Sequence, residues 1–410
     1  MRASAIVVGG GYAGVEAARR MSDAVDVTLV SDDNYLLFTP MLAEVAAGDL
    51  DPRHITSPIR EMSPQARLAL GTVTGIDTAA KRVMLSTKVG QRVQELEADA
   101  VVLALGSVSS DHGVAGVRDH AIPFKTISDA LTIRNRLVAL LETAAQTGEE
   151  SLLSVAIVGA AYSGAEITAA LADFLSRART RFYPTAPPPR VSLIDAVDQP
   201  LAGLPRSAQE AARRSLVRSG VELTLGTPVA SVDDRGVVLA DDTRVAAATV
   251  VWSAGVEAHP LTRQLGLATE GRRLVVDDRL RADDGIFAAG DSAAVPDGYG
   301  GICAPTAQNA LRQGRYLGRN LPALIAGKSA PPFSYRSKGQ LVSLGHRHAV
   351  GVVFGVPVTG VPAWFMWRSY YLARLPTWSR KVRVAFDWTL DLIFPPDISG
   401  LPSSGLGPHV

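Results

Sequence analysis

Residues Ser4–Arg19 read SAIVVGGGYAGVEAAR, and the fold follows from this stretch. Ala5–Val8 is a short apolar run rich in β-branched residues, as expected of a parallel strand buried on both faces. It leads into Gly9-Gly10-Gly11-Tyr12-Ala13-Gly14, which fits G-x-G-x-x-G, and Val15, Glu16, Ala17 and Ala18 then open a helical pattern. Strand, glycine fingerprint and helix in register are the signature of a dinucleotide-binding βαβ unit. In such a turn Gly9 makes the tight bend, Gly11 lets the backbone approach a pyrophosphate, and Gly14 lets the helix pack closely on the strand. The helix N-terminus adds amides and a partial positive charge. The alternative is a tight strand-to-helix turn that binds nothing.

Working outward, Val25–Val30 reads as the second strand. A dinucleotide fold usually ends this strand in Asp or Glu to hold a ribose 2′-hydroxyl; here the position is Ser31, whose hydroxyl can hydrogen-bond a ribose. The polar and aromatic loop Asn34–Pro40 suits the wall of a flavin, or is an ordinary connection, and Met41–Ala47 looks helical. Ala100–Leu105 is another buried-strand run, Ser107–Gly116 reads as a crossing between domains, and Ile127–Ala145 is amphipathic. The organisation then repeats: strand Val155–Val158, fingerprint Gly159–Gly164, and a helix from Ala165 to Leu175. Ala161 stands where the middle glycine belongs, and its methyl crowds a pyrophosphate. The next strand, Val191–Ile194, ends at Asp195 after a proline-rich insertion from Arg179 to Pro189. A carboxylate there accepts from a 2′-hydroxyl and repels a 2′-phosphate, which favours NADH over NADPH. Ile286–Asp291 is a short strand ending in Gly290-Asp291, a pair suited to a sugar or phosphate, although Gly-Asp alone is any turn. Two mononucleotide folds imply two dinucleotides, one held and one exchanged.

The chain is long enough for two or three domains: 410 residues, 47% hydrophobic, 20% charged, with a formal net charge of +1. That balance shows no bias toward nucleic acid. One cysteine rules out a disulfide framework, a C-x-x-C redox pair and a cysteine-rich metal site. His346 and His348 would share a face on a strand, but two ligands do not make a zinc site, so no metal is expected. Met1 and Arg2 lead directly into the first strand, the start expected of a cytoplasmic-type protein. No run of about 18 apolar residues suggests a spanning helix.

Nearly the whole chain resembles the two-dinucleotide flavoprotein reductases, and among them the type II, non-pumping NADH:quinone oxidoreductases. The carriers are GGGYAG at Gly9–Gly14, NYLLFTPML at Asn34–Leu42, AIPFKTISDAL at Ala121–Leu131 and SGAE at Ser163–Glu166. Further on come VVWSAGV at Val250–Val256, FAAGDSA at Phe287–Ala293, APTAQNALRQG at Ala304–Gly314 and FDWTLDLIFPPDI at Phe386–Ile398. The resemblance implies an FAD-dependent enzyme in which NADH gives hydride to the flavin and two electrons then pass to a membrane quinone. It implies that Gly9, Gly11, Gly14, Gly290 and Asp291, with Ser31 at the ribose position, hold FAD, and that Thr39 and Pro40 line the isoalloxazine. Gly159, Gly164 and Asp195 would receive NADH, Glu166 would stand at the nicotinamide edge, and Ala307 and Gln308 would border the quinone pocket. The alternative readings are a carboxylate complementing the helix dipole for Glu166 and an ordinary helix residue for Gln308; their places in SGAE and APTAQ favour the functional roles. The related sulfide:quinone oxidoreductases need paired redox cysteines; Cys303 is isolated and reads as a packed residue.

The expected architecture is therefore α/β: two Rossmann-like dinucleotide-binding domains plus a C-terminal membrane-associating helical segment. The FAD domain is expected at 1–116 with 281–345, the NAD(P)H domain at 117–280, and the C-terminal region at 346–410. Of the 10 Phe, 9 Tyr and 5 Trp, nine fall between Val361 and Phe394, interleaved with Arg368, Arg374, Arg380, Lys381 and Arg383. Pro376 should break the region into two helices. Trp364, Trp367, Tyr371 and Leu375 on the first, and Val382, Phe386, Leu390 and Ile393 on the second, make apolar stripes for an anionic membrane surface. The alternative is a helical pair packed on the enzyme itself or at a homodimer contact. The expected location is peripheral, on the cytoplasmic face of the cell membrane. Two other functions stay open: a soluble reductase serving a protein electron carrier, and a low-turnover redox sensor.

Overall fold

The computed structural model describes residues 2–21, 23–337 and 339–400. They form two compact units. The first comprises Met1–Leu37, Thr56–Val108 and Val256–Arg336, the second Phe38–Ile55, Ser109–Gly255 and Ser337–Val410.

The first unit is built on a six-stranded sheet in the order Arg281–Asp283, Ile286–Ala288, Ala100–Leu103, Ser4–Val8, Asp26–Ser31, Arg67–Leu70. All neighbours are parallel except Arg281–Asp283, which pairs antiparallel at the edge. Ile6, Val7, Leu29, Val101 and Leu103 are buried, as strands covered on both faces require. The fingerprint helix Tyr12–Met21 packs against helix Ala307–Ile325. That crossing is close. A Cβ on Gly314 would lie 2.2 Å from the Ala13 carbonyl oxygen, and one on Gly318 2.9 Å from that of Ala17.

The second unit has a five-stranded, all-parallel sheet in the order Ala121–Pro123, Thr249–Trp252, Ser154–Val158, Arg190–Asp195, Val221–Leu225. Helix Ile127–Thr147 starts in a capping box, with Thr126 accepting the Asp129 amide and Asp129 accepting that of Thr126. The second fingerprint helix runs Tyr162–Phe182, and helix Leu42–Ala47 packs on both of these. An antiparallel sheet of Gly339–Ser343, Ala349–Val353 and Val356–Thr359 leads into helices Gly360–Arg374 and Trp378–Asp391, interrupted at Pro376.

Packing divides the chain differently from the expected 1–116 with 281–345, 117–280 and 346–410. Residues 256–280 join the first unit, where Arg273–Val275 pairs with Ala293–Ala294. Phe38–Ile55 joins the second, because its short helix buries Leu42, Ala43, Val45, Ala46 and Ala47 there. The two C-terminal helices also belong to the second unit. His346 and His348 stand in the turn between two strands rather than along one.

Gly314→Ala should destabilise the first unit by about 1–3 kcal/mol, since the methyl has only a backbone carbonyl to push against. An unchanged urea or thermal midpoint would show that the two helices have room to part.

Candidate functional site

The first fingerprint turn separates glycines that the protein itself needs from one that it does not. Gly9 has φ +117, and a Cβ there would lie 2.1 Å from the Ala104 carbonyl oxygen; on Gly14 it would lie 1.9 Å from that of Gly9. A Cβ on Gly11 would meet nothing within 4 Å. Protein packing does not demand the central glycine, and the open face beside it matches what a pyrophosphate against the backbone requires. Ser31 is buried under Gly10, where a Cβ would lie 2.2 Å from its Oγ, and it accepts the Asp33 amide at 3.3 Å. Gly290 has φ +77 and sits against Ala13, a residue of the fingerprint. The neighbouring Asp291 accepts from Ser107 Oγ at 2.7 Å. The residues present therefore fit FAD. Ala307 and Gln308, both half-buried, form the first turn of helix Ala307–Ile325, whose cap is Thr306.

The second fingerprint repeats the geometry in the second unit. Gly159 has φ +107, with a Cβ there falling 2.5 Å from the Ser253 carbonyl oxygen, and one on Gly164 would lie 1.7 Å from that of Gly159. Ala161 is exposed at φ −72, a conformation alanine adopts without strain, and serves as the helix N-cap. Asp195 closes its strand beside this turn: Oδ2 accepts the Ala160 amide at 2.5 Å and Oδ1 that of Val197 at 3.1 Å. The helix starts at Tyr162, three residues before the expected Ala165. Glu166 is thus beyond the first turn and away from the free amides, which removes the dipole explanation for it.

Glu166 instead lines a cavity of about 30 Å³ with Pro40, Glu44, Asp49, Asp173, His346 and Arg368 among its other walls. It accepts the Ser343 amide at 3.2 Å. Burial pushes its pKa up to about 8, against the pull of that amide and of the Trp367 indole. Glu44 is likewise raised to about 8 by burial, against the nearby Arg368, and both its oxygens accept from Trp388 Nε1 at 3.2 Å. Arg177 binds Asp49 at 2.7 Å, Asp173 at 2.8 Å and Asp391 at 2.9 Å. Burial works against its charge, but the three carboxylates outweigh it and raise its pKa. Sequence reading named Pro40 and Glu166 for the site, and His346 and Arg368 in other roles, but missed the carboxylates around Arg177. Their only local trace is the Asp173–Arg177 spacing of four on one helix face. Thr39 lies with Pro40 on the 3₁₀ turn Thr39–Met41 in the second unit, not in the unit that holds Gly9–Gly14.

The C-terminal helices correct one expected stripe and expose the other. Trp364, Trp367 and Leu375 are buried, Trp367 to 1% exposure, so this face of the first helix packs inward. Arg368 is half-buried and stacked between Trp364 and Trp388, at 4.1 and 4.7 Å from their ring centroids. On and just after the second helix, Val382, Phe386, Leu390, Ile393 and Phe394 are exposed, Phe386 to 65% and Ile393 to 70%. Its other face holds Val384, Trp388 and Asp387, the last bound to His54 Nδ1 at 2.5 Å. Among the described residues no helix is long and apolar enough to cross a membrane.

Comparison with known proteins agrees with this architecture. The family model of the pyridine nucleotide-disulphide oxidoreductases matches residues 3–314, and that of the NDH2 C-terminal domain matches residues 337–395. A probable NADH dehydrogenase of Dictyostelium discoideum is 30% identical over 96% of this chain and 90% of its own length. A type II NADH:quinone oxidoreductase of Mycobacterium tuberculosis is 30% identical over 95% of this chain and 88% of its own. Among solved structures, NDH2 from Plasmodium falciparum in complex with NADH aligns with a TM-score of 0.91 over 97% of this chain and all of that one. At 18% identity that likeness speaks to the fold alone. The sulfide:quinone oxidoreductase of Aquifex aeolicus aligns with a TM-score of 0.72 at 16% identity, over 98% of this chain and all of that one. With two dinucleotide fingerprints on two parallel sheets and a C-terminal helical pair, the chain belongs to the pyridine nucleotide-disulphide oxidoreductases, in the branch of the type II NADH:quinone oxidoreductases.

Proposed function

We infer that the chain is an FAD-dependent NADH:quinone oxidoreductase that works at a membrane surface and pumps no protons. The observation that carries this reading is the pair of fingerprint turns, each with its first and last glycine locked by packing and its middle position open. FAD, when bound, supplies the two-electron chemistry, so the protein needs neither a nucleophile nor a metal. The first unit serves as the FAD-binding domain through Gly9, Gly11, Gly14, Gly290 and Asp291, with Ser31 packed beneath the turn at the ribose position. Thr39 and Pro40 line the isoalloxazine, and Ala307 and Gln308 border the quinone. The second unit receives NADH at Gly159, Gly164 and Asp195, and Glu166 stands at the nicotinamide. NADH oxidation assayed with a quinone, with ferricyanide and with a protein carrier tests the whole reading; reduction of the carrier alone would overturn it.

Glu166 works in its protonated form, which its desolvated place in the cavity favours at neutral pH. Its pKa of about 8 makes it lose that proton as pH rises through 8, so kcat should fall on the alkaline side. Glu166→Gln, neutral at every pH, should slow turnover about ten-fold or more, keep FAD and abolish that alkaline limb. An identical limb in the variant would assign it to another group. The same raised pKa makes stability fall with pH: above the ordinary carboxylate range the unfolded chain sheds this proton while the folded unit keeps it. The loss levels off above about pH 8.

Asp195 reads the adenosine ribose of NADH and repels a 2′-phosphate. Asp195→Ala should cost on the order of 1–3 kcal/mol in kcat/KM for NADH and narrow the preference over NADPH. Equal use of both donors by the wild type would deny it this role.

The outer face of helix Trp378–Asp391, continued by Ile393 and Phe394, is the membrane-facing surface, with exposed Arg374 and Arg383 available to anionic lipid on the cytoplasmic side. Replacing Phe386 and Ile393 together by Ser should lower binding to phosphatidylglycerol vesicles by about an order of magnitude and leave NADH:ferricyanide activity intact. If the substitutions instead convert a dimer to monomers without affecting vesicle binding, that face is the contact with a second copy of the chain.

A further inference from the structure

The turn that presents Asp291 is held by a residue outside both the fingerprint and the Gly-Asp pair. We infer that Gln313 is a positioning residue for FAD, fixing the Gly290–Asp291 turn relative to the first fingerprint; this rests on the reading that the first unit holds FAD. Gln313 lies in helix Ala307–Ile325 and is 1% exposed. Its Oε1 accepts the Gly290 amide at 2.7 Å. A backbone N–H can only donate, so this bond also sets which way the side-chain amide points, and its NH₂ end meets the Cys303 thiol.

Three constraints converge on that amide. Gly290 has φ +77, no side chain of its own and no side-chain cap on the turn it opens; the Ala293 amide holds its carbonyl, and Gln313 holds its N–H. Gly314, the residue after Gln313, is in backbone contact with Ala13 of the fingerprint. A Cβ on Gly290 would itself lie 3.4 Å from the Ala13 Cβ. Gln313 therefore ties the turn to a helix that is locked, one residue later, onto the fingerprint. The chain beyond the turn is clamped separately, by Arg273 donating to the carbonyls of Ala293 and Cys303. Asp291 is aimed by its bond from Ser107 Oγ. Removing the Gln313 acceptor leaves the buried Gly290 N–H without a partner, at the glycine of the turn. The relief is to rotate Gly290 and move Asp291, with the sheet left standing.

The test is FAD affinity of deflavinated protein, measured by quenching of flavin fluorescence, with the thermal midpoint of the apoprotein followed in parallel. Gln313→Leu keeps most of the volume and removes the acceptor; Gln313→Glu keeps an acceptor oxygen. The Leu variant should bind FAD about ten-fold more weakly with an apoprotein midpoint close to wild type, and the Glu variant should recover most of the affinity. Should the Leu variant not fold, Gln313→Met, flexible and similar in volume, carries the same expectation. Unchanged FAD affinity in the folded variant overturns the inference. So does a loss matched by collapse of the apoprotein midpoint and not recovered by Glu. Wild-type protein that takes up no FAD would overturn the reading beneath it as well.

Discussion

The close approach of a helix to the strand that precedes it is the constraint on which the rest of the molecule depends. At Gly14 and again at Gly164 a side chain would occupy the place of a carbonyl oxygen, that of Gly9 and of Gly159. Each helix can therefore start directly over the end of its strand, with its free amides gathered at the turn. Gly9 and Gly159, at φ +117 and +107, make the bend that permits this. In the first unit the same economy of side chains recurs at Gly314 and Gly318, so two helix backbones approach each other around Ala13 and Ala17. Small residues here leave room for a ligand without opening a void in the core.

The second unit concentrates charge in its interior. Glu44, Asp49, Asp173, Asp391 and Glu166 surround one cavity, with the half-buried cations Arg177 and Arg368 beside them. Carboxylates outnumber cations, so full ionisation is costly and protons remain on the most desolvated acids. Arg177 binds three carboxylates that come from three stretches of chain: the end of the Leu42–Ala47 segment, the second fingerprint helix and the last C-terminal helix. Removing one partner of such a cluster costs far more than any exposed ion pair, because the others are left buried and uncompensated.

That cluster also explains why the C-terminal helices face as they do. Arg368 fills the gap between two indole rings, Trp388 reaches Glu44, and Asp387 binds His54, so the polar and aromatic side of the pair is used inside the unit. The side of the second helix that carries Val382, Phe386 and Leu390 is left outside, together with Trp378 and Arg383. An apolar face of that kind on a surface helix is the one for which a membrane contact is proposed.

Sequence by itself determined the parallel sheets, the two fingerprint turns, the acid at Asp195, the Gly-Asp turn and the break at Pro376. Each rests on neighbours a few residues apart: an apolar run, a glycine spacing, or a proline without an N–H. It also marked the region 361–394 as unusually aromatic, yet took both stripes to face lipid, because periodicity shows that a helix has an apolar face and not what covers it. Only the tertiary structure decided that Trp364, Trp367 and Arg368 belong inside, and that Phe38–Ile55 packs with the second unit. It alone brought Asp49 and Asp391 to Arg177 and Trp388 to Glu44, and set Gln313 rather than a nearer residue on the Gly290 amide. These pairings join residues from 23 to 344 positions apart. A side chain's burial and protonation depend on such distant partners, and no local pattern in the chain encodes them.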